Sequence, residues 1–390
     1  MTTMTYDAII LGAGAAGTYC AIHAASRGLR VLLLDHNPDL GAKIRVSGGG
    51  RCNFTNTGAR ADSYYSRNPH FPRGALARHS PQDVLAWFGA RGITWHEKHL
   101  GQIFADQRAR GILAALHDAL AGSGATLLTA TTLHEQTHDD SEYQLRTSRG
   151  DYRAPQLVIA CGAPSYAKLG ASDLALRLAK HYHLNNYPFR PALVPLTLDR
   201  PPAQLAGISH EVIIQCDGAP AFRDQLLYTH RGLSGPAVLQ ISTYWQRGAT
   251  ITINHLPDLP ADALVAAKRA RPQHSLAQTL REHLPKAVAD HLALPYPAAP
   301  LQHYSDAALR DIMHALQQHT VIPSGTEGMN KAEASSGGID TRELDPKTFM
   351  VKKHPGLHVI GEALDVTGWL GGYNLQWAWS SAWCCAQYLG

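Results

Sequence analysis

The chain has 390 residues and a net charge of +4, and 45% of its residues are hydrophobic and 17% charged. This balance excludes wholesale disorder, and the length predicts two or three domains. No stretch approaches the ~20 apolar residues that a membrane span needs, so we expect no membrane association. No block of basic residues favours nucleic acid, so we expect no nucleic-acid partner. Six cysteines without a C-x-x-C pair predict free thiols in a reducing compartment, and therefore a cytoplasmic location.

The first predicted elements are a strand, a glycine-rich turn, a helix and a second strand. Asp7–Leu11 is an apolar run, a helical pattern follows to about Arg27, and Val31–Asp35 is a second apolar run. Fully apolar strands are typical of a parallel sheet that is buried on both faces. The turn has a G-x-G-x-x-G pattern, formed by Gly12, Gly14, Ala15, Ala16 and Gly17.

This turn predicts a dinucleotide site. Gly12 permits the tight turn, Gly14 lets a pyrophosphate approach the backbone, and Gly17 allows the helix to pack closely on the strand. The start of the helix adds N–H groups and a positive dipole. Asp35 ends the second strand, where a carboxylate accepts hydrogen bonds from an adenosine ribose, and we place the adjacent His36 in the same site. The pattern fits FAD and NAD equally.

A glycine-rich segment follows at residues 41–56. Successive glycines expose backbone that can lie flat against a ligand, and charged and polar side chains surround them. A phosphate cradle is one interpretation of this segment, and a flexible surface loop is the other. The residues that we assign to the cofactor site here are Lys43, Ser47, Gly48, Gly49, Gly50, Arg51, Cys52 and Asn53.

The middle of the first half changes from helical to β-like. Residues 81–122 contain two amphipathic helical patterns around a possible strand. Thr129–Leu133, Tyr143–Thr147 and Leu157–Ala160 are then predicted as strands of an antiparallel excursion that returns to the parallel sheet. From this region Leu133, Ala160 and Gly162 are assigned to the cofactor site.

Residues 134–138 match the H-E-x-x-H pattern of zinc proteases. That chemistry needs a helix, which brings positions i and i+4 together on one face. The flanking residues predict a strand, in which His134 and His138 would lie ~13 Å apart and could not share a zinc ion. We therefore expect no metal site.

A composition shift predicts an inserted domain. The proline-rich stretch 187–202 indicates a crossing, and the chain leaves the insert near Lys331–Ile339. We divide the chain into residues 1–190, the first part of the cofactor domain; 191–330, the insert; and 331–390, the closing part of the cofactor domain. Within the insert, Val212–Gln215, Gln225–Thr229 and Thr250–Asn254 are predicted strands, and residues 261–318 are predicted to be helical.

The C-terminal segment distinguishes FAD from NAD. Leu357–Gly361 is a short apolar strand that ends in glycine and an acid, and Asn374–Leu389 is a predicted helix behind a glycine-rich turn. In FAD folds of the glutathione-reductase type, such a strand runs beside the ribityl chain and such a helix start faces the flavin, whose reduced form is anionic. The residues assigned to the site are Gly361, Glu362, Asp365, Gly371, Gly372, Asn374 and Leu375.

Four segments resemble the BaiN-like, aminoacetone-oxidase family of NAD(P)/FAD-dependent oxidoreductases: residues 41–56, 191–196, 229–236 and 361–377. The resemblance implies a glutathione-reductase-like Rossmann-type FAD domain of the α/β class, interrupted by a β-barrel and a helical piece. It also implies noncovalent FAD and redox chemistry on a small molecule. The activities assigned to members differ and include amine oxidation and the reduction of conjugated steroid ketones, so the resemblance implies no particular substrate. The chain departs from the family pattern at Gly101–Ala105 and at Ser335–Gly338, which puts substrate specificity in doubt.

The sequence therefore predicts an FAD-dependent oxidoreductase that transfers hydride to or from a small organic substrate. One dinucleotide fingerprint is visible, so NAD(P)H would visit the flavin transiently as the electron donor, or O2 would be the other redox partner. Two alternatives stay open: an FAD-dependent enzyme that acts on tRNA, and a non-catalytic redox sensor. No catalytic residue is assigned. Cys52 and Cys161 are candidate redox thiols, although both residues more often serve as small packing residues beside a cofactor.

Overall fold

The computed structural model describes residues 4–139 and 141–390. The chain forms two compact units. The first runs to Pro191 and resumes from Glu333 to Gly390, and the second is Ala192–Ala332.

The first segment of the first unit is mixed in structure. Its helices are α1 (Ala15–Ala25), α2 (Ala42–Val46), α3 (Pro72–Arg78), α4 (Pro81–Gly89), α5 (Arg108–Ser123) and α6 (Leu174–His181). Its strands are β1 (Met4–Thr5), β2 (Ala8–Leu11), β3 (Val31–Leu34), β4 (Asn53–Asn56), β5 (Tyr64–Tyr65), β6 (Trp95–Glu97), β7 (Gln102–Ala105), β8 (Thr126–Leu128), β9 (Leu133–His138), β10 (Tyr143–Thr147), β11 (Gly150–Ala154), β12 (Gln156–Ile159) and β13 (Asn186–Ala192).

The second unit is built on an antiparallel sheet of seven strands: β14 (Leu196–Thr197), β15 (Ser209–Gln215), β16 (Phe222–Thr229), β17 (Gly232–Ser234), β18 (Ile251–Asn254), β19 (His319–Val321) and β20 (Gly325–Thr326). Their order in the sheet is β19-β18-β15-β16-β17-β14-β20. Alternate residues of β15 are buried, as expected for a strand with one face on a core. The helices are α7 (Pro236–Tyr244), α8 (Ala263–Ala270), α9 (Leu276–Leu280), α10 (Lys286–Ala293) and α11 (Asp306–Gln317).

The returning segment completes the first unit with β21 (Ala334–Ile339), β22 (Leu357–Val359), β23 (Thr367–Gly368) and α12 (Tyr373–Ala386). A five-stranded parallel sheet has the order β22-β12-β2-β3-β8. Strand β22, the last of these in the chain, pairs with β12, the strand that follows the antiparallel excursion. The central strands β2 and β3 are buried along their whole length. The predicted parallel sheet with both faces covered is confirmed.

Two helices pack in succession beside this sheet: α1 contacts its strands, and α12 contacts α1 and β4. Helix α1 is rich in alanine and buried over nearly all of its length, which lets it contact both the sheet and α12. Helix α12 supplies the buried aromatic rings of Trp377 and Trp379. Arg27, just after α1, donates to the carbonyl oxygens of Ala386 (2.5 Å) and Leu389 (2.9 Å). The start and the end of this unit are therefore packed together.

The structure corrects one predicted strand. Thr129–Thr132, predicted as part of a strand, lies between β8 and β9, and Ala130 has a left-handed backbone with φ +48°. Thr131 N–H donates to the carbonyl oxygen of Asp35, just after β3. The linker therefore bonds to the chain that follows β3 and does not continue a strand. The threonine-rich composition favoured a strand, but the change from the parallel sheet to the antiparallel excursion requires a turn here. Tyr143–Thr147 is confirmed as β10.

Candidate functional site

The glycine-rich turn lies at the carboxyl end of β2. Gly12 has φ +109°, and a Cβ on it would lie 2.5 Å from the carbonyl oxygen of Ala160, at the end of β12. A Cβ on Gly17 would lie 1.8 Å from the carbonyl oxygen of Gly12. These two glycines are therefore required by the packing of the turn itself, and Ala160, a predicted site residue, packs directly against them.

Gly14 has a different role from its two neighbours. It precedes α1 with an ordinary backbone conformation, and its side chain position has no atom within 4 Å outside its own helix. No side chain caps this helix start. The first N–H groups of α1, with the positive end of the helix dipole, therefore face a region that a Cβ at Gly14 would enter. This arrangement fits a pyrophosphate at Gly14, with Ala15 and Ala16 in the first turn.

Asp35 is fixed beside this turn by backbone donors. Its Oδ2 accepts from Ala13 N–H (2.6 Å) and its Oδ1 from Asn37 N–H (2.8 Å). A carboxylate has about four lone-pair positions, so both oxygens keep capacity for ribose hydroxyls. His36 is half-exposed, and its Nε2 lies 2.8 Å from the carbonyl oxygen of Gly170. Leu133 begins β9, close in the chain to the linker that bonds to Asp35.

A polar cluster joins three separate segments around Lys43. Its Nζ donates to Glu362 Oε2 (2.7 Å), to Ser165 Oγ (2.9 Å) and to the carbonyl oxygen of Ala163 (2.7 Å). Glu362 Oε1 in turn accepts from Ser165 Oγ (3.2 Å) and Ser335 N–H (2.9 Å). Both charged side chains are about one quarter to one third exposed. The structure thus brings together Lys43 and Glu362, which the sequence placed in one site from opposite ends of the chain.

The glycine segment owes its composition to its backbone. Gly48, Gly49 and Gly50 have consecutive left-handed φ values of +54°, +66° and +81°, which side chains disfavour. Ser47 begins this turn, and its carbonyl oxygen accepts from Cys52 N–H (3.1 Å). Arg51 is exposed and donates to the Gly48 carbonyl oxygen (3.2 Å). The segment therefore forms a defined turn, which disfavours its interpretation as a flexible surface loop.

The helix α12 begins against β4. A Cβ on Gly372 would lie 2.3 Å from the carbonyl oxygen of Thr55, so strand β4 itself requires glycine there. Asn56 Nδ2 donates to the carbonyl oxygen of Gly371 (2.8 Å). The side chain of Asn374 bonds to both backbone groups of Gly368. Asn53, at the start of β4, and Leu375, in the first turn of α12, are on the two elements that meet here.

Asp365 is bound by Arg67, which was not among the predicted site residues. The Asp365 carboxylate is 2% exposed and accepts from Arg67 Nη1 (3.0 Å) and Arg67 N–H (3.1 Å). The guanidinium of Arg67 also lies 3.9 Å from the ring centre of Tyr187. Asp365 therefore holds the loop before α12 in place through a partly buried ion pair, since Arg67 is one third exposed. Gly162 and Gly361 complete the predicted set: Gly162 faces Glu362, and Gly361 faces Ala16.

The two candidate redox thiols are not activated. Burial raises the pKa of Cys52 to about 11 and that of Cys161 to about 12. A thiolate is the reactive form, so both groups are protonated at neutral pH. The H-E-x-x-H residues lie on strand β9, as predicted. Within residues 4–139 and 141–390, no group of three or more histidine, cysteine, aspartate or glutamate side chains is arranged to hold a metal ion.

The parallel sheet, the glycine turn at the carboxyl end of β2 and the acid after β3 define a Rossmann-type FAD-binding domain of the α/β class. The sequence matches the HI0933-like protein Rossmann domain over residues 6–388, and the chain belongs to this family. It is an FAD-dependent oxidoreductase.

Comparison with individual proteins gives the same class. The chain is 44% identical over 391 residues to the ribosomal RNA dihydrouridine synthase of Escherichia coli, with 98% of each chain covered. It is 28% identical to the 3-dehydro-bile acid delta(4,6)-reductase of Clostridium scindens, with 97% of each covered. A quinol-fumarate reductase structure shares the fold with a TM-score of 0.52 at 14% identity, over 99% of this chain and 71% of that chain. In the described part of the chain, no helix has the length and apolar character to cross a membrane.

Proposed function

We propose that this protein reduces a uridine of ribosomal RNA to dihydrouridine. The observation that carries the proposal is the 44% identity, over 98% of both chains, to a protein named for that activity. The proposal replaces the small-molecule substrate favoured by the sequence and the expectation that nucleic acid is no partner. The net charge of +4 gave little indication of RNA, because it is a sum over the chain and says nothing about where the basic residues lie.

The reaction adds a hydride to C6 of the uracil ring and a proton to C5, so the C5=C6 double bond becomes single and the donor loses two electrons. FAD, once reduced, supplies the hydride. Gly14 and the start of α1 would hold the pyrophosphate of FAD, and Asp35 would hold its ribose. The ion pair of Lys43 and Glu362 holds together α2 and the segment before α12. We assign NAD(P)H as the transient electron donor, and the cytoplasm, where ribosomal RNA and free thiols coexist, as the location.

The test measures dihydrouridine in ribosomal RNA by nucleoside mass spectrometry. Unmodified ribosomal RNA, transcribed in vitro, is incubated with the holoprotein and NADH or NADPH under anaerobic conditions. Dithionite replaces the nucleotide in a parallel reaction, so that the choice of donor does not decide the result. We expect dihydrouridine to form with wild type and not with a flavin-free Gly14→Asp variant. A holoprotein that yields none with any of the three reductants, on either large- or small-subunit RNA, would overturn the proposal.

A second candidate is the reduction of a small conjugated ketone. It is favoured by the 28% identity, again over nearly the whole chain, to a 3-dehydro-bile acid delta(4,6)-reductase. Both relatives are named for the saturation of carbon–carbon double bonds, which one hydride-transfer site can perform on different rings. Incubation with a 3-oxo steroid carrying 4,6-double bonds, under the same reductants, distinguishes the two. Turnover of the steroid without modification of RNA would favour this candidate.

A further inference from the structure

A cavity of about 850 Å³ lies in the first unit, beside the edge of the parallel sheet and apart from the Gly14 turn. Its walls come from the chain after β3, from α2, from the start of α5 and from the end of β8. The residues that define its character are Arg45, Arg108, Arg110, Asp39, Leu113 and Thr129. A volume of this size accommodates a nucleotide-sized group.

The charges on the walls of the cavity are mainly positive. Three arginines line the cavity, against one carboxylate, Asp39, which lies 3.3 Å from Arg45 in an exposed ion pair. The exposed side chains of Arg108 and Arg110 have no ion pair or hydrogen bond with any residue that the structure describes. Asp106, the nearest carboxylate along the chain, is bonded to His96 (2.7 Å). The positive charge at the cavity is therefore not neutralised from within the unit.

The position of two of these arginines adds to this charge. Arg108 and Arg110 stand in the first turn of α5, a helix of 16 residues with no acidic residue in that turn and no side-chain cap. Cations at a helix N-terminus oppose the dipole and cost stability, and anions are favoured there. Both arginines thus lie where an anion would relieve the repulsion. The basic surface continues past Gly50 to Arg51 and Lys98, whose charges lie 5.6 and 5.8 Å from the ring centre of Phe104.

We propose that this cavity binds the phosphodiester backbone of the RNA substrate. The inference rests on the proposed function and adds the surface by which the RNA is held. Guanidinium groups bind phosphate oxygens through paired N–H donors, which suits a chain of phosphates. The cavity shares Gly50 with the glycine segment of the cofactor site, so RNA bound here passes beside that segment. Phosphate contacts position the RNA, and base selection is left to the site where the uracil is reduced.

The experiment compares variants that remove one or two charges. Arg110→Gln and the double variant Arg108→Gln/Arg110→Gln are tested against Arg30→Gln, an exposed arginine at the opposite, amino end of β3. Binding of fluorescently labelled ribosomal RNA, transcribed in vitro, is measured by anisotropy from low to high salt. We expect Arg110→Gln to weaken binding about five-fold and the double variant at least ten-fold. The slope of log K against log salt should fall by ~0.7–0.9 for each lost contact.

Other measurements separate this inference from the proposed function. FAD content and bleaching by dithionite should be unchanged in both variants, and saturating RNA should restore the yield of dihydrouridine. If wild type modifies RNA but the double variant binds it as tightly, or Arg30→Gln loses as much, the cavity is not the binding surface and the proposed function stands. If wild type neither binds nor modifies ribosomal RNA, both fail.

Discussion

Lys43 Nζ lies 2.7 Å from Glu362 Oε2, although the two residues are 319 positions apart in the chain. This contact ties helix α2, which carries Lys43, to the segment before α12 that carries Glu362. Because the same ammonium also bonds to Ser165 and Ala163, it holds three segments of the chain together.

We expect the loss of this contact to weaken FAD binding. Removing one partner of a bonded, partly buried charge costs about 1–3 kcal/mol, so Lys43→Met and Glu362→Gln should each raise the Kd for FAD about ten-fold. Titration of the apoprotein with FAD, followed by flavin fluorescence, measures the effect. A double-mutant cycle should show coupling, since the two side chains contact each other. Arg45→Met, which removes an exposed ion pair from the same short helix, is the control and should change little.

Substitutions at Gly14 and at Gly17 should have different effects on the protein. Gly17→Ala forces a Cβ to within 1.8 Å of the Gly12 carbonyl oxygen, so the apoprotein itself should lose about 3 kcal/mol or more. Gly14→Asp supplies a favoured N-cap residue and meets no protein atom, so the apoprotein should keep its stability. Its carboxylate would occupy the place assigned to the pyrophosphate, and FAD binding should be lost. Urea denaturation of both apoproteins decides this, and equal destabilisation would contradict the assignment of Gly14.

Cys52 should be inert in the folded protein. Its pKa of about 11 leaves about one thiol in a thousand ionised at pH 8. Iodoacetamide at that pH, followed by mass spectrometry, should leave Cys52 unmodified in the native protein and alkylate it after unfolding. Cys52→Ala should keep its flavin and its activity. Rapid native alkylation would show that the thiol is accessible and ionised, and a Cys52→Ala holoprotein without turnover would show that it takes part in the chemistry.

His79 makes the first unit sensitive to acid. Burial lowers its pKa to about 4, and its ring stacks on Trp383 and lies 3.0 Å from the hydroxyl of Tyr19. The unfolded chain, with an ordinary pKa of about 6.5, takes up the proton first, so stability is full above pH 6.5 and falls as the pH drops toward 4. The share due to His79 is about 2–3 kcal/mol between pH 7 and pH 4.5.

Denaturation at these two pH values measures that share. The loss between them should be smaller in His79→Gln, because a glutamine does not titrate, even though the variant is less stable at pH 7. A pH dependence identical to that of wild type would show that His79 is not buried as a neutral ring.

The glycines of the candidate site were predictable as turn residues because local conformation requires them. Gly12, Gly48 and Gly49 have backbone angles that favour glycine, and that requirement leaves a visible pattern in the sequence. Pairings across the chain leave no such pattern. Arg67 and Asp365 are 298 positions apart, and nothing local distinguishes this arginine from the exposed ones. The prediction of a strand at Thr129–Thr132 is wrong because it rests on the threonine-rich composition, which favours a strand. The turn that joins the two sheets at this point leaves no pattern in the local composition.

The contact between Gly361 and Ala16, where a Cβ on Gly361 would come within 2.9 Å, has a consequence for biosynthesis. At a translation rate of 5–20 residues per second, about 350 residues and so about 20–70 s separate the emergence of these two partners from a ribosome. During that delay the edge of β12 that pairs with β22 is unpaired. The glycine-rich turn at Gly12–Gly17 also lacks the contact between Gly361 and Ala16 of α1. We therefore expect FAD to be retained only after translation reaches α12, so that a nascent chain stalled before Tyr373 carries no flavin.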